Sequence, residues 1–142
     1  MKNTNGKIRY KEKEYDVVFN FNVMEEIQAK YGTFDEWSEL SSGEVNAKKQ
    51  YEKLGKSKPW ESLTDKEKGK YVGEPDIKAV IFAMTVALNE GIDIENEDNN
   101  TDIKHFTEKQ VGRIISEIGF TKANAQLQKS VIESTKSEEK NA

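Results

Sequence analysis

Few residues in this 142-residue chain have side chains able to do chemistry at neutral pH. It has no cysteine and a single histidine, His105, so neither a Cys–His nucleophile pair nor one of the usual Cys/His zinc sites can be assembled from it. A lone histidine beside a helix start reads as structural or exposed. Carboxylates are the opposite case: with 26 acids, pairs occur everywhere, and a pair selects no acid–base centre without a cleft around it. The run Asp93-Ile-Glu-Asn-Glu-Asp-Asn-Asn-Thr-Asp102 has the acid density of a calcium loop but lacks the glycine of the sharp turn and the bidentate Glu that closes such a loop. Gly69 and Gly73 stand alone among lysines instead of joining a strand to a helix, so no phosphate cradle is built. The expectation is a protein with no catalytic residues, no metal ligands and no cofactor, and not an enzyme.

The residues left with a chemical meaning are the basic ones. Ser41 to Gly73 carries eight lysines against five acids, with Tyr51, Trp60 and Tyr71 interleaved, a mixture in which bases stack on rings while lysines hold phosphates. Its net charge is only +3, however, and the whole chain carries −4, so a solvated face is favoured and nucleic acid is not expected as a partner. The stretch from Glu90 to Asp102 has six acids and no base. That segregation suits self-association or a partner of matching pattern; the alternative is two independently solvated loops.

Hydrophobic periodicity places these residues on elements. Ile8 and Tyr10, then Tyr15, Val17 and Phe19, alternate with polar residues on either side of Lys11 to Glu14, which predicts a hairpin. A lone hairpin is marginal in water, so its apolar face must dock, and the helix that follows is the nearest support. That helix spans roughly Asn22 to Tyr31, with Val23, Met24, Ile27 and Tyr31 on one face, Asn20 or Asn22 as cap and Gly32 as its stop. Thr33 and Glu36 have capping-box spacing and open a short helix bearing Phe34, Trp37 and Leu40. The region 41–73 reads as a lysine-rich insertion or mobile arm, with weak helices near Asn46 to Leu54 and Thr64 to Tyr71. From Pro75 to Glu90 the chain is apolar nearly all round, which predicts the central core helix, stopped at Asn89-Glu-Gly91 and followed by a solvated acidic loop. Phe106-Thr-Glu-Lys-Gln-Val111 combines a capping box with a hydrophobic staple. Val111, Ile114, Ile115 and Ile118 then share a face, and Gly119 ends that helix.

A last helix from about Thr121 bears a thin stripe of Ala123, Leu127, Val131 and Ile132. The stripe has two readings, a helix-in-groove contact or packing onto the Ile114/Ile118 helix. The candidate protein-binding residues are Phe120, Leu127, Val131 and Ile132. The fold class that follows is α+β, mainly helical: an N-terminal β-hairpin, then about four to six helices packed around the central helix from Pro75 to Glu90. One domain over 1–136 and a disordered charged tail over 137–142 complete the organisation. No apolar run approaches the roughly 20 residues that a membrane span needs, and no basic-then-apolar signal segment opens the chain, so a soluble cytoplasmic protein is expected.

The order of elements resembles the tail assembly chaperones of long-tailed, siphovirus-like phages and prophages of low-GC Gram-positive bacteria. The likeness rests on Gly6-Lys-Ile-Arg-Tyr, on Tyr15-Asp-Val-Val-Phe-Asn-Phe running into Met24-Glu-Glu-Ile, and on Gly32 before Phe34 to Leu40. It continues in a core helix ending Ala87-Leu-Asn-Glu-Gly91 and in Phe106-Thr-Glu-Lys-Gln-Val opening the last helical pair. It covers most of the chain except 41–73, which is longer and more basic than the family leads one to expect. The resemblance implies a non-enzymatic role in the host bacterial cytoplasm: coating the tape measure protein, keeping it soluble, helping to recruit tail tube protein, and being absent from the mature virion. It also implies a minor frameshifted longer form, with which Glu139-Lys140-Asn141 is compatible in codon usage. A different class of function, a small regulator or inhibitor from a mobile element that binds one folded protein target, is the alternative.

Overall fold

The computed structural model describes residues 5–71 and 73–141, with side chains described up to Thr135. The tail expected over 137–142 thus lies outside the residues whose side chains are described. Two strands, β1 (Gly6–Tyr10) and β2 (Lys13–Val17), pair antiparallel with Ile8 opposite Tyr15. Lys11 and Glu12, both at positive φ, make the two-residue turn. Seven α-helices follow: α1 (Phe21–Tyr31), α2 (Phe34–Ser41), α3 (Glu44–Lys53), α4 (Asp65–Lys68), α5 (Ile77–Asn99), α6 (Glu108–Ile118) and α7 (Phe120–Asn141), with a 3-10 turn at Trp60–Ser62. The α+β, mainly helical class is what the residue pattern predicts, the short α4 taking the helix number just past the expected range.

The caps are local, and they fall where the sequence puts them. The Asn20 side chain accepts from the Val23 amide, Thr33 from Glu36, and full capping boxes form at Thr64/Glu67 and Thr107/Gln110. Helix α5 is the central element. Its stripe Val80, Met84, Leu88 and Ile92 is at most 1% exposed, and the first three meet Val17, Val23, Ile27, Val111, Ile114 and Leu127 in one core. The buried Trp37 indole donates to the Ala79 carbonyl at 3.0 Å and stacks on Phe19.

Two expectations are corrected here. The core helix does not stop at Gly91; it runs on to Asn99, so most of the supposed acidic loop is helical. A mid-helix glycine costs about 1 kcal/mol in isolation. Here the missing side chain is what permits packing, since a Cβ at Gly91 would stand 2.7 Å from the Asp16 carbonyl oxygen on β2. Ile92, 1% exposed, carries the buried stripe one turn further, and Lys13 of the hairpin bonds Glu95 at 2.8 Å. The helix ends at Asn100 in the left-handed conformation. The second correction concerns the hairpin's support, which is α5 along β2 and α7 along β1 more than α1. Val18 N–H donates to the Ala87 carbonyl, Gly6 N–H to Ser130 Oγ at 2.8 Å and Lys7 N–H to Gln126 Oε1 at 2.8 Å. Both sheet edges are thus covered, which removes the aggregation hazard of an open edge.

Region 41–73 has a small core of its own. Ala47, Tyr51 and Trp60 are buried against Leu63 and Tyr71, and the Tyr51 hydroxyl donates to the Lys58 carbonyl at 2.7 Å. The arm leaves and rejoins the domain at one place, where Asp76 N–H donates to the Leu40 carbonyl at 2.9 Å and the Asn46 amide donates to the Glu74 carbonyl.

Candidate protein-binding surface

Helix α5 presents a second, wetter face beside α1 and the start of α6, and a cleft of about 450 Å³ opens there. Its floor is Phe82, Thr85 and Val86, one turn apart on α5. Its rim is acidic: Glu26 from α1, Glu90 and Asp93 from α5, and Glu108 from the first turn of α6. Asn22 joins the rim and donates to Glu90 at 2.8 Å. At the edge of the floor, the Lys30 ammonium lies 4.3 Å from the Phe82 ring centroid, and Tyr31 packs edge-on to the same ring. The Tyr31 hydroxyl is held above its usual pKa, first by burial and then by the carboxylates of Asp76 and Glu108.

Two asparagines on α5, of which Asn89 lines the cleft, hold the segment that returns along the helix. Asn89 accepts from the Phe106 amide at 2.8 Å and donates to the Phe106 carbonyl at 2.9 Å; Asn96 does the same to Ile103, at 2.9 and 3.0 Å. Seven helical residues rise about 10.5 Å, and three extended residues span about 10 Å, so the two clips are in step with an extended return strand lying along α5. Tyr10 and Tyr15 of the hairpin close on Phe106 from the other side, Tyr15 at 5.1 Å between ring centroids. This is how His105 is positioned. Its Nε2 meets Asp93 Oδ1 at 2.6 Å, with about half of each side chain exposed, so the pair ties the return segment to α5 in contact with water. Among the described residues no group of three or more His, Asp or Glu side chains is arranged to hold a metal ion, and the acidic run that faintly resembled a calcium loop is largely helix.

The four residues chosen from sequence separate. Leu127 is fully buried and Val131 is 9% exposed, both within the main core, and Phe120 packs partly buried against it. Only Ile132, 54% exposed, is presented to solvent. The contact surface expected at Leu127 and Val131 is therefore corrected to core: α7 lies over β1 and packs against α5 and α6, and a partner cannot reach them without opening the fold. Sequence reasoning also missed Phe21, 76% exposed at the first position of α1 and adjacent to cleft-lining Asn22, as well as the two asparagine clips. Phe21 has no local signal, since it stands within an apolar series in which its neighbours Phe19 and Val23 are buried.

In the arm, the rings that would be needed for base stacking are packed on each other. Tyr51 and Trp60 are 5.6 Å apart, Tyr51 and Tyr71 5.0 Å, and Tyr51 and Trp60 are at most 5% exposed. The lysines remain at the surface. Lys48 is paired with Glu61 at 2.8 Å, a contact that raises the Lys48 pKa and lowers that of Glu61, and the Lys68 ammonium lies 5.5 Å over the Trp60 ring. No protein-family model, curated protein or solved structure matches this chain.

Proposed function

We propose that this protein is a tail assembly chaperone of a long-tailed phage or prophage, acting in the host cytoplasm without catalysis: it covers the apolar stripes of the helical tape measure protein, keeps that protein soluble and helps to recruit tail tube subunits. The observation that supports this most directly is that large apolar side chains stand in water on three long helices, Phe21 on α1, Ile94 on α5 and Ile132 on α7, the first and last more than half exposed. Exposed apolar side chains on helix faces can serve as anchors for weak contacts along a helical client. Among the described residues no helix is long and apolar enough to cross a membrane.

Co-expression with the long helical protein encoded just downstream, followed by size-exclusion chromatography with light scattering, tests this reading. The expected result is a client that becomes soluble only with this chain and elutes with many copies of it. A client whose solubility is unchanged and which elutes separately overturns the reading. A fixed one-to-one complex with some other folded host protein would select the inhibitor alternative instead.

A further inference from the structure

We propose that the tip of the 41–73 arm of one molecule docks into the α1–α5–α6 cleft of a second copy, with Leu54 as the apolar knob and Lys53 and Lys56 facing the acidic rim. The inference stands apart from the chaperone reading, because it concerns this chain alone.

The two surfaces are compatible in size and opposite in charge. Leu54 is 59% exposed where α3 ends, in the sequence Lys53-Leu-Gly-Lys56, and Gly55 turns the chain at φ 68 with open space around it. The tip is held in place before any partner arrives. Leu54 and Gly55 amides donate to the carbonyls of Tyr51 and Glu52, and the buried Tyr51 clasps Lys58 through its hydroxyl. A knob fixed in this way loses little entropy on docking. The cleft has an apolar floor at Phe82 and Val86, and about 450 Å³ is ample for a leucine side chain. Glu26, Glu90 and Glu108 line its rim, and the one cation noted at its edge, the Lys30 ammonium over the Phe82 ring, leaves the rim's carboxylates in excess. The arm's net charge of +3 against −4 for the whole chain leaves −7 on everything else, since −4 − 3 = −7.

Each copy has one knob and one cleft, so the contact either closes as a reciprocal two-fold dimer or repeats head to tail from copy to copy. A single knob buries far less than the roughly 1,200 Å² of a standard stable interface, which makes the association weak, concentration-dependent and sensitive to salt.

Sedimentation equilibrium of the full chain tests this at about 50 mM and about 0.5 M NaCl, where screening differs several-fold. The weight-average mass is expected to rise with concentration above the monomer's 16.2 kDa at low salt and to fall back at high salt. Arm variant Lys53→Glu/Lys56→Glu and cleft variant Glu26→Lys/Glu90→Lys should each remain monomeric alone. Mixed, they should associate again, since each reversed surface then meets its complement; this rescue also shows that both variants are folded. A wild type that stays monomeric under all conditions, self-association that survives either reversal, or a mixture that fails to associate overturns the proposal. So does a monomeric wild type whose cleft instead binds a lysine-flanked leucine peptide, which would assign the cleft to a different protein.

Discussion

At the scale of single residues, burial decides what a side chain can do, and sequence periodicity reports burial only in part. Leu127 and Ile132 are both aliphatic residues of α7 and both belong to the same thin stripe, yet one is fully buried and the other 54% exposed. The spacing of five places them on different sides of the helix, and the hairpin decides which side is covered. The helix is locked onto the hairpin by Ser130, whose hydroxyl accepts from Gly6 N–H and donates to the Val17 carbonyl. Leu127→Ala should therefore destabilise the domain by about 2–5 kcal/mol, the range for truncating a buried leucine, whereas Ile132→Ser should change stability by no more than about 0.5 kcal/mol. Urea unfolding monitored by circular dichroism separates them. Equal costs would mean that α7 does not sit on the hairpin as described. The same reasoning explains why the candidate contact residues were only partly legible: the stripe was read correctly as apolar, but whether it faces a partner or the core is settled by β1, more than a hundred residues away in sequence.

At the scale of elements, local signals were legible and non-local ones were not. The caps at Asn20, Thr33, Thr64 and Thr107 each involve a side chain and an amide within three residues, so the sequence announces them. Gly91 announces a helix stop that the fold overrides, because its contact is with Asp16, 75 residues earlier and on a different element. The asparagine clips at Asn89 and Asn96 are silent in the same way, since each joins α5 to a segment that returns only after the helix has ended. The arm's elements offer a pH test. Glu61 is held below the ordinary carboxylate value of 4.5 first by its hydrogen bond from Lys48, and Glu67 by hydrogen bonds from the Thr64 backbone and hydroxyl. A depressed folded-state pKa contributes stability that is present above 4.5 and is lost as pH falls through the folded value. Glu61 is exposed and Glu67 half-buried at the surface, so the effect is modest, but both act on the arm. On acidification below 4.5, the folded NMR resonance of the Trp60 indole should be lost before that of Trp37, whose N–H is bonded to Ala79 in the main core. Simultaneous loss at the two tryptophans would show that the arm and the main core unfold as one unit.

At the scale of the whole molecule, the chain has two cores of unequal size with a narrow join. The main core gathers side chains from the hairpin, α1, α2, α5, α6 and α7, and the arm core gathers Ala47, Tyr51 and Trp60 with their neighbours. The composition change at 41–73 showed where the arm begins and ends. Its scattered apolar residues did not show that they converge, because three aromatics spread over 21 positions have no periodicity to reveal a shared face. The join is narrow because Asp76, which caps α5, also donates its backbone N–H to Leu40 at the end of α2. The domain therefore closes on itself without the arm. A variant in which residues 44–72 are replaced by a two-residue Gly-Ser linker should fold and melt cooperatively, since loop closure across so short a gap costs little entropy and the main core loses no member of its buried cluster. Retained near-ultraviolet ellipticity from Trp37 with a single melting transition is the expected outcome; loss of that signal would mean that the arm supports the α2–α5 contact. In the proposed assembly the shortened chain still has its cleft but no knob, so it should stay monomeric by sedimentation at low salt while still capturing the arm of the full-length chain. A shortened chain that self-associates as the full chain does would assign the contact to some surface other than the arm.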